Sequence, residues 1–291
     1  MSRIFENVLL EMRERKVIYS EPRSFQEYLR ANHINSQNTA SHISIQKIED
    51  LKPELRKEGY MVFRLGSRPN DNNTYFALAA LSNKDDWSEY FLIDKIIFKD
   101  TQPEIFLPNV SIRQLFAFNL LSNLTENSLI NLAISSGLLA NALNIETSES
   151  LAASASGQGI FSFEFKPNSQ SELIWNHYKG QVEIDALFVG RRNSQETLFV
   201  VEAKTSSSFQ SLAKHKLVYP VLALRSKVPG YIPMIPVYVR AIKSKSRQEI
   251  SFYIAECTPL DARKETISIN KLDVVSVKHL VLMGFNNDQS F

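Results

Sequence analysis

Asp185, Glu202 and Lys204 are the residues of this 291-residue chain whose types and spacing suit a reaction, and all three lie in VEIDALFVGRRNSQETLFVVEAKT, residues 182 to 205. Side chains two apart on a strand share a face, so Glu202 and Lys204 project together while Ala203 points away. If VEIDALFV and TLFVVEAKT pair as a hairpin across GRRNSQE, Asp185 comes close to Glu202 at a sheet end. Neighbouring carboxylates resist joint ionisation unless a cation sits between them, and oxygen-only donors suit magnesium or manganese rather than zinc. Lys204 then orients or helps deprotonate an attacking water and stabilises charge on a phosphate. The set suits metal-assisted hydrolysis of a phosphodiester. A purely structural arrangement stands beside it, a Glu202–Lys204 salt bridge at a strand end with Asp185 as a turn-side acid.

The elements that must position these groups are legible around them. Upstream, residues 113 to 123 and 127 to 144 read as buried helices, and Leu129, Leu132, Ala133, Ser136, Ala140 and Leu143 mark one face. A Ser/Ala/Gly-rich connection, 147 to 159, leads to the strand IFSFEF, 160 to 165, with Phe161, Phe163 and Phe165 on one side. Downstream, Ser206 to Ser208 are read as the cap of a helix carrying Phe209 to Leu224, kinked or interrupted at Pro220. IPMIPVYVRAI and ISFYIAEC complete the series as strands. The order is helix, three strands, helix, two strands.

The amino-terminal third reads separately. Residues 3 to 16 and 24 to 32 have helical composition, and Ile45 to Glu58 reads as a helix ending at Gly59. Strands follow at YMVFRL, TYFALAAL and YFLIDKIIF. This makes an α+β domain over 1 to 105, with a role in DNA recognition or dimerisation, ahead of a second domain over 106 to 291.

Bulk properties narrow the classes. The net charge of +2 identifies no polyanion-binding protein by itself, although Lys and Arg gather at 191 to 192, 214 to 216, 225 to 227 and 240 to 247. One cysteine, Cys257, excludes an intramolecular disulfide and a multi-cysteine zinc site, and points to a reducing, cytoplasmic setting. No apolar run reaches membrane-spanning length, so no membrane partner is expected. The five histidines show no metal-ligand spacing, and no GxxxxGK loop or Gly-x-Ser-x-Gly elbow is present, so no nucleotide cofactor is expected.

The triplet acid-x-Lys recurs at Glu14 and Lys16, Asp50 and Lys52, and Glu164 and Lys166, so alone it selects nothing. With Asp185 ahead across sixteen intervening residues, and a helix and two strands behind, Glu202-Ala203-Lys204 resembles the PD-(D/E)XK nuclease superfamily over about residues 110 to 260. The segment from the motif onward is similar to bacterial type II restriction endonucleases. The resemblance implies a mixed central sheet flanked by helices. It further implies a bacterial or archaeal, Mg2+-dependent (with Mn2+ as substitute), sequence-specific endonuclease on double-stranded DNA, acting as a homodimer in a restriction-modification setting. Asp185, Glu202 and the Ala203 backbone carbonyl would hold the metal, and Lys204 would act at the water. Ile184 stands where the superfamily has proline, and Glu126 is the only acid near the first helix. Glu183 and Gln210 are accessory candidates, and Arg191, Arg192, Lys214, His215 and Lys216 candidate DNA contacts, as are Arg64 and Arg68 for base edges. A structure-specific repair, recombination or phage-defence nuclease of the same fold is the alternative, followed by a DNA-binding module without turnover.

Overall fold

The computed structural model describes residues 3–35, 40–121, 123–147, 151–244, 249–263 and 265–284. Residues 148–150 of the Ser/Ala/Gly-rich connection, and Lys245 and Arg247 of the last basic cluster, lie outside them.

From the amino end run α1 (Glu6–Arg15), β1 (Arg23–Ser24), α2 (Phe25–Ala31), α3 (Ala40–Ile43), α4 (Pro53–Glu58), β2 (Tyr60–Arg64) and β3 (Tyr75–Ala80). Strands β1, β3 and β2 form a small antiparallel sheet in that order. The helix expected from Ile45 to Glu58 is divided into a 3-10 turn at Ile48–Asp50 and α4, which starts at Pro53. Proline holds the preceding residue out of the helical region, and Lys52 is extended at ψ 146°. Gly59 closes α4 in the left-handed conformation, φ 74°, as its position predicted.

The expected strand YFLIDKIIF is half strand and half helix: β4 (Phe91–Ile93) turns at once into α5 (Asp94–Ile97). Next come β5 (Pro103–Phe106) and a 3-10 helix, Ile112–Asn119, in place of the α-helix expected over 113 to 123. The long helix expected over 127 to 144 is a pair, α6 (Glu126–Ser135) and α7 (Leu138–Ala142), parted by Gly137 at φ 81°. After these, β6 (Ala155–Phe165), β7 (Trp175–Arg192) and β8 (Gln195–Thr205) run as an antiparallel meander. The chain continues through β9 (Ser211–Ala213), α8 (His215–Leu224), β10 (Met234–Lys243), β11 (Glu249–Cys257) and β12 (Val274–Met283).

Seven of these strands make one mixed sheet in the order β5-β12-β11-β10-β8-β7-β6. The β8–β10 and β12–β5 pairs are parallel and the others antiparallel. The fold is therefore mixed α/β, with a large central sheet flanked by helices. The hairpin joining β7 and β8 is tighter than its loop residues suggested, because Asn193 and Ser194 both take positive φ, 52° and 62°, between paired Arg192 and Gln195.

Alternation along β8 sends its residues to two cores. Phe199, Val201 and Ala203 pack with α6 and α7, whereas Leu198 and Val200 share the opposite core with Leu217, Val221 and Leu222 of α8. Glu202 and Lys204 have the parity of Leu198 and Val200, so they emerge on the α8 face. The amino-terminal elements close the same face. Phe63 packs against Tyr90, Phe165 and Trp175 with ring centroids 5.4, 5.8 and 5.6 Å apart, so residues on either side of 105 share one core. Gly66, at φ 71°, lets β2 run on past β7: a Cβ there would lie 2.3 Å from the Tyr178 carbonyl oxygen. No helix among the described residues is long and apolar enough to cross a membrane.

Candidate active site

The β7–β8 ladder stops at Ala186 and Val201. One step further Asp185 and Glu202 come level, and the Asp185 Oδ2 accepts the Ala203 N–H at 2.9 Å in place of a backbone partner. Lys204 Nζ lies 2.9 Å from Glu202 Oε1, 3.6 Å from Asp185 Oδ2 and 3.5 Å from Glu126 Oε2. Glu126 is delivered by α6: Thr125 caps that helix by accepting the Ser128 N–H at 3.2 Å, which puts Glu126 in its first turn, where a carboxylate is favoured. From the opposite side Lys216, second residue of α8, brings Nζ to 3.4 Å from Glu202 Oε1 and 3.9 Å from Glu183 Oε2.

Glu202 is the unusual member. Its side chain is 1% exposed, and its carboxylate is held by ion pairs alone, Oε1 facing the ammonium groups of Lys204 and Lys216, with no neutral donor on either oxygen. Burial pushes its pKa up to about 7, and Asp185 adds to this, while Lys216 and Lys204 pull the other way. Lys204 shows the converse: burial opposes its charge, but Glu202, Asp185 and Glu126 hold its proton well above the usual lysine range. A buried carboxylate without neutral donors is costly, and a hard cation is a further partner that would stabilise it. Among the described residues no group of three or more His, Cys, Asp or Glu side chains is set to hold a metal ion alone. Asp185 and Glu202 are two oxygen donors, which matches a cation that keeps much of its water shell.

Of the remaining candidates, only Lys216 and Glu183 join this cluster. Gln210 is not on a helix: α8 begins five residues later, and the Gln210 backbone exchanges hydrogen bonds with Asp94, its N–H donating to Oδ2 at 2.8 Å. The segment after Ser208 is drawn into β9, which pairs with β4, so the hydroxyls expected to cap the helix do not reach it. Pro220 sits inside α8 without ending it. Lys214 is buried and donates to the Asn270 carbonyl at 3.2 Å, and so does not face a phosphate backbone. Burial drives His215 down to about 3, leaving it neutral. Arg192 is a structural ion pair, both Glu256 oxygens lying 2.9 Å from its Nη1. Arg191 is exposed beside Glu146 at 3.6 Å, next to the hairpin turn and several residues along β7 from Asp185. Arg64 donates to Ser44 at 3.2 Å, and Arg68 lies 5.2 Å from the Tyr75 ring centroid.

Sequence reasoning placed Lys216 with the DNA contacts and missed its approach to Glu202. The only signal was a lysine opening the helix after the EAK strand, and its meaning depends on where that helix docks. At the rival triplet, Glu164 is exposed and Lys166 pairs with Glu172 at 3.0 Å, so no second acid cluster forms there.

A domain of unknown function, DUF6997, matches residues 94–274, and the chain belongs to that family. The matched span holds Glu126, Asp185, Glu202, Lys204 and Lys216. No curated protein and no solved structure matches the chain.

Proposed function

We propose that this protein is a metal-dependent endonuclease that hydrolyses phosphodiester bonds of double-stranded DNA, built on a PD-(D/E)XK core. The observation that carries the reading is the buried Glu202 carboxylate, level with Asp185 and held between the ammonium groups of Lys204 and Lys216. The element order supports it: helices, three antiparallel strands, a helix, then β10 lying parallel to β8 and β11 antiparallel to β10. Asp185 and Glu202, with the Ala203 carbonyl, would hold Mg2+ or Mn2+. When bound, such a cation neutralises charge on a phosphate and acidifies water.

The chain's own groups do the rest. The Ala203 N–H fixes one oxygen of Asp185 and leaves the other available. Lys204, held protonated by three carboxylates, is placed to orient a water and stabilise phosphate charge rather than to remove a proton. Glu126 draws the same ammonium from the α6 side. Lys216 supplies a second cation against Glu202. Attack by the water oxygen at phosphorus breaks one ester P–O bond, and cutting both strands takes two such sites, so a two-fold homodimer goes with this reading.

The test is digestion of several long DNAs of known sequence with Mg2+, followed by sequencing of the ends. Discrete fragments with a shared end sequence are expected. Cleavage confined to branched or damaged DNA would move the protein to a structure-specific nuclease, and duplex binding without cleavage in Mg2+ or Mn2+ would overturn the catalytic reading.

A further inference from the structure

Beside the acid cluster, between the amino-terminal elements and β7, a cavity of about 240 Å³ is lined at one end by Glu183 and Lys216. Since Lys216 also reaches Glu202 at 3.4 Å, the cavity opens next to the proposed reaction centre. Drug-sized sites are larger, about 300 Å³ and above, so this one has room for a single ring system.

Its walls combine ring surfaces with groups of both hydrogen-bonding polarities. Tyr219 and Pro220 give an apolar side, and Arg64, Gln46 and Gln181 give polar ones. His177 is 2% exposed and stacked on Phe163 with centroids 4.5 Å apart, so its ring backs the wall, while Gln46 and Gln181 bring amides that both donate and accept. Burial takes His177 down to about 4, so at neutral pH its ring adds no charge to the cavity wall. A phosphate calls for donors alone and would meet the Glu183 carboxylate at the mouth. The edge of a nucleobase calls for donors and acceptors together beside a stacking wall.

We infer that this cavity is a nucleobase pocket that takes one base of the polynucleotide being cleaved, an inference that rests on the phosphodiesterase reading of Asp185, Glu202 and Lys204. A base stacked inside a duplex cannot enter a recessed cavity of this size, so the nucleotide beside the cleaved bond is turned out of the stack. Arg64 lies at its edge with Gln46 and Gln181, whose amides both donate and accept, and Tyr219 and Pro220 make the apolar side.

The test uses the full chain carrying Asp185→Asn, which leaves the pocket intact, and reads its affinity for short labelled single strands. Strands of each base are compared with an abasic strand of equal length. At least one base-bearing strand is expected to bind about tenfold tighter than the abasic strand, the size of one stacked base. Arg64→Met and Gln181→Ala should each shrink that difference; Gln181 is exposed, so its variant keeps the test valid if Arg64→Met does not fold. Equal binding of abasic and base-bearing strands, or full preference in both variants, would overturn the pocket. Free deoxynucleoside monophosphates binding as tightly as a strand would overturn its assignment to a polynucleotide. Cleavage of DNA by a wild type that is blind to bases would sink the pocket alone, whereas base preference without any cleavage would sink the nuclease reading instead.

Discussion

Two buried acid–base clusters sit on adjacent strands of one sheet, on the same face, in direct register: Tyr238 pairs with Glu202 and Arg240 with Lys204. The first is complete around its acid. Asp94 is fully buried; its oxygens accept from Tyr238 Oη at 2.9 Å and from the Gln210 N–H at 2.8 Å, while Arg240 Nε, which donates to Tyr238 Oη, is ion-paired to Oδ2 at 2.7 Å. In the second, Glu202 is equally buried and neither oxygen has a neutral donor. Both pKa values are raised by burial, so neither burial nor a raised pKa separates them. What separates them is the kind of partner. Neutral donors on both oxygens of Asp94 join α5 to the sheet, whereas the Glu202 carboxylate, held only by the ammonium groups of Lys204 and Lys216, keeps the capacity to take a cation or a substrate group.

The sharpest way to break this contrast is through activity. Asp185→Asn, Glu202→Gln and Lys204→Met should each lower DNA cleavage by about 10²–10⁴-fold while leaving circular dichroism unchanged; wild-type cleavage by any of them removes that residue from the site. Next in size is the Asp94 cluster. Asp94→Ala or Arg240→Ala strands a buried partner, and urea unfolding should show a loss of about 3–5 kcal/mol. A loss below about 1 kcal/mol would mean the pair is not structural.

A smaller effect concerns pH. Glu202 binds its proton more tightly folded than unfolded, with a folded pKa of about 7 against an ordinary 4.5. In the metal-free protein its contribution to stability is full below the unfolded value and is lost as pH rises through about 7. Glu202→Gln should therefore flatten the stability profile between pH 4.5 and 7, and an unchanged slope would show that this carboxylate is not the group titrating. The smallest effect belongs to Arg192→Ala, which should cost about 1–3 kcal/mol through the lost Glu256 pair and leave the salt dependence of DNA binding alone. A shallower salt slope would restore Arg192 to the DNA contacts.

Much of the second cluster was legible before any coordinates. The acid pair, the shared face of Glu202 and Lys204 and the β7–β8 hairpin follow from period-two alternation and turn residues. The first cluster was hidden. YFLIDKIIF reads as one apolar strand, and Asp94 becomes the start of α5 because Gln210, Tyr238 and Arg240, more than a hundred residues away in sequence, supply its hydrogen bonds and ion pair. The same remote pairing pulls Ser211–Ala213 into a strand against Phe91–Ile93, and this delays α8 until His215. That delay sets Lys216 at the second position of the helix, within reach of Glu202. Local propensity cannot register any of these steps, because each is decided by a tertiary partner.

The proposed cation site is formed by the Glu202 carboxylate together with Asp185. Its most direct test is a calorimetric titration of the wild type, Glu202→Gln and Asp94→Asn with Mn2+. Binding by the wild type and by folded Asp94→Asn is expected, with at least a tenfold loss of affinity in Glu202→Gln. Equal Mn2+ affinity in the wild type and Glu202→Gln would contradict this site.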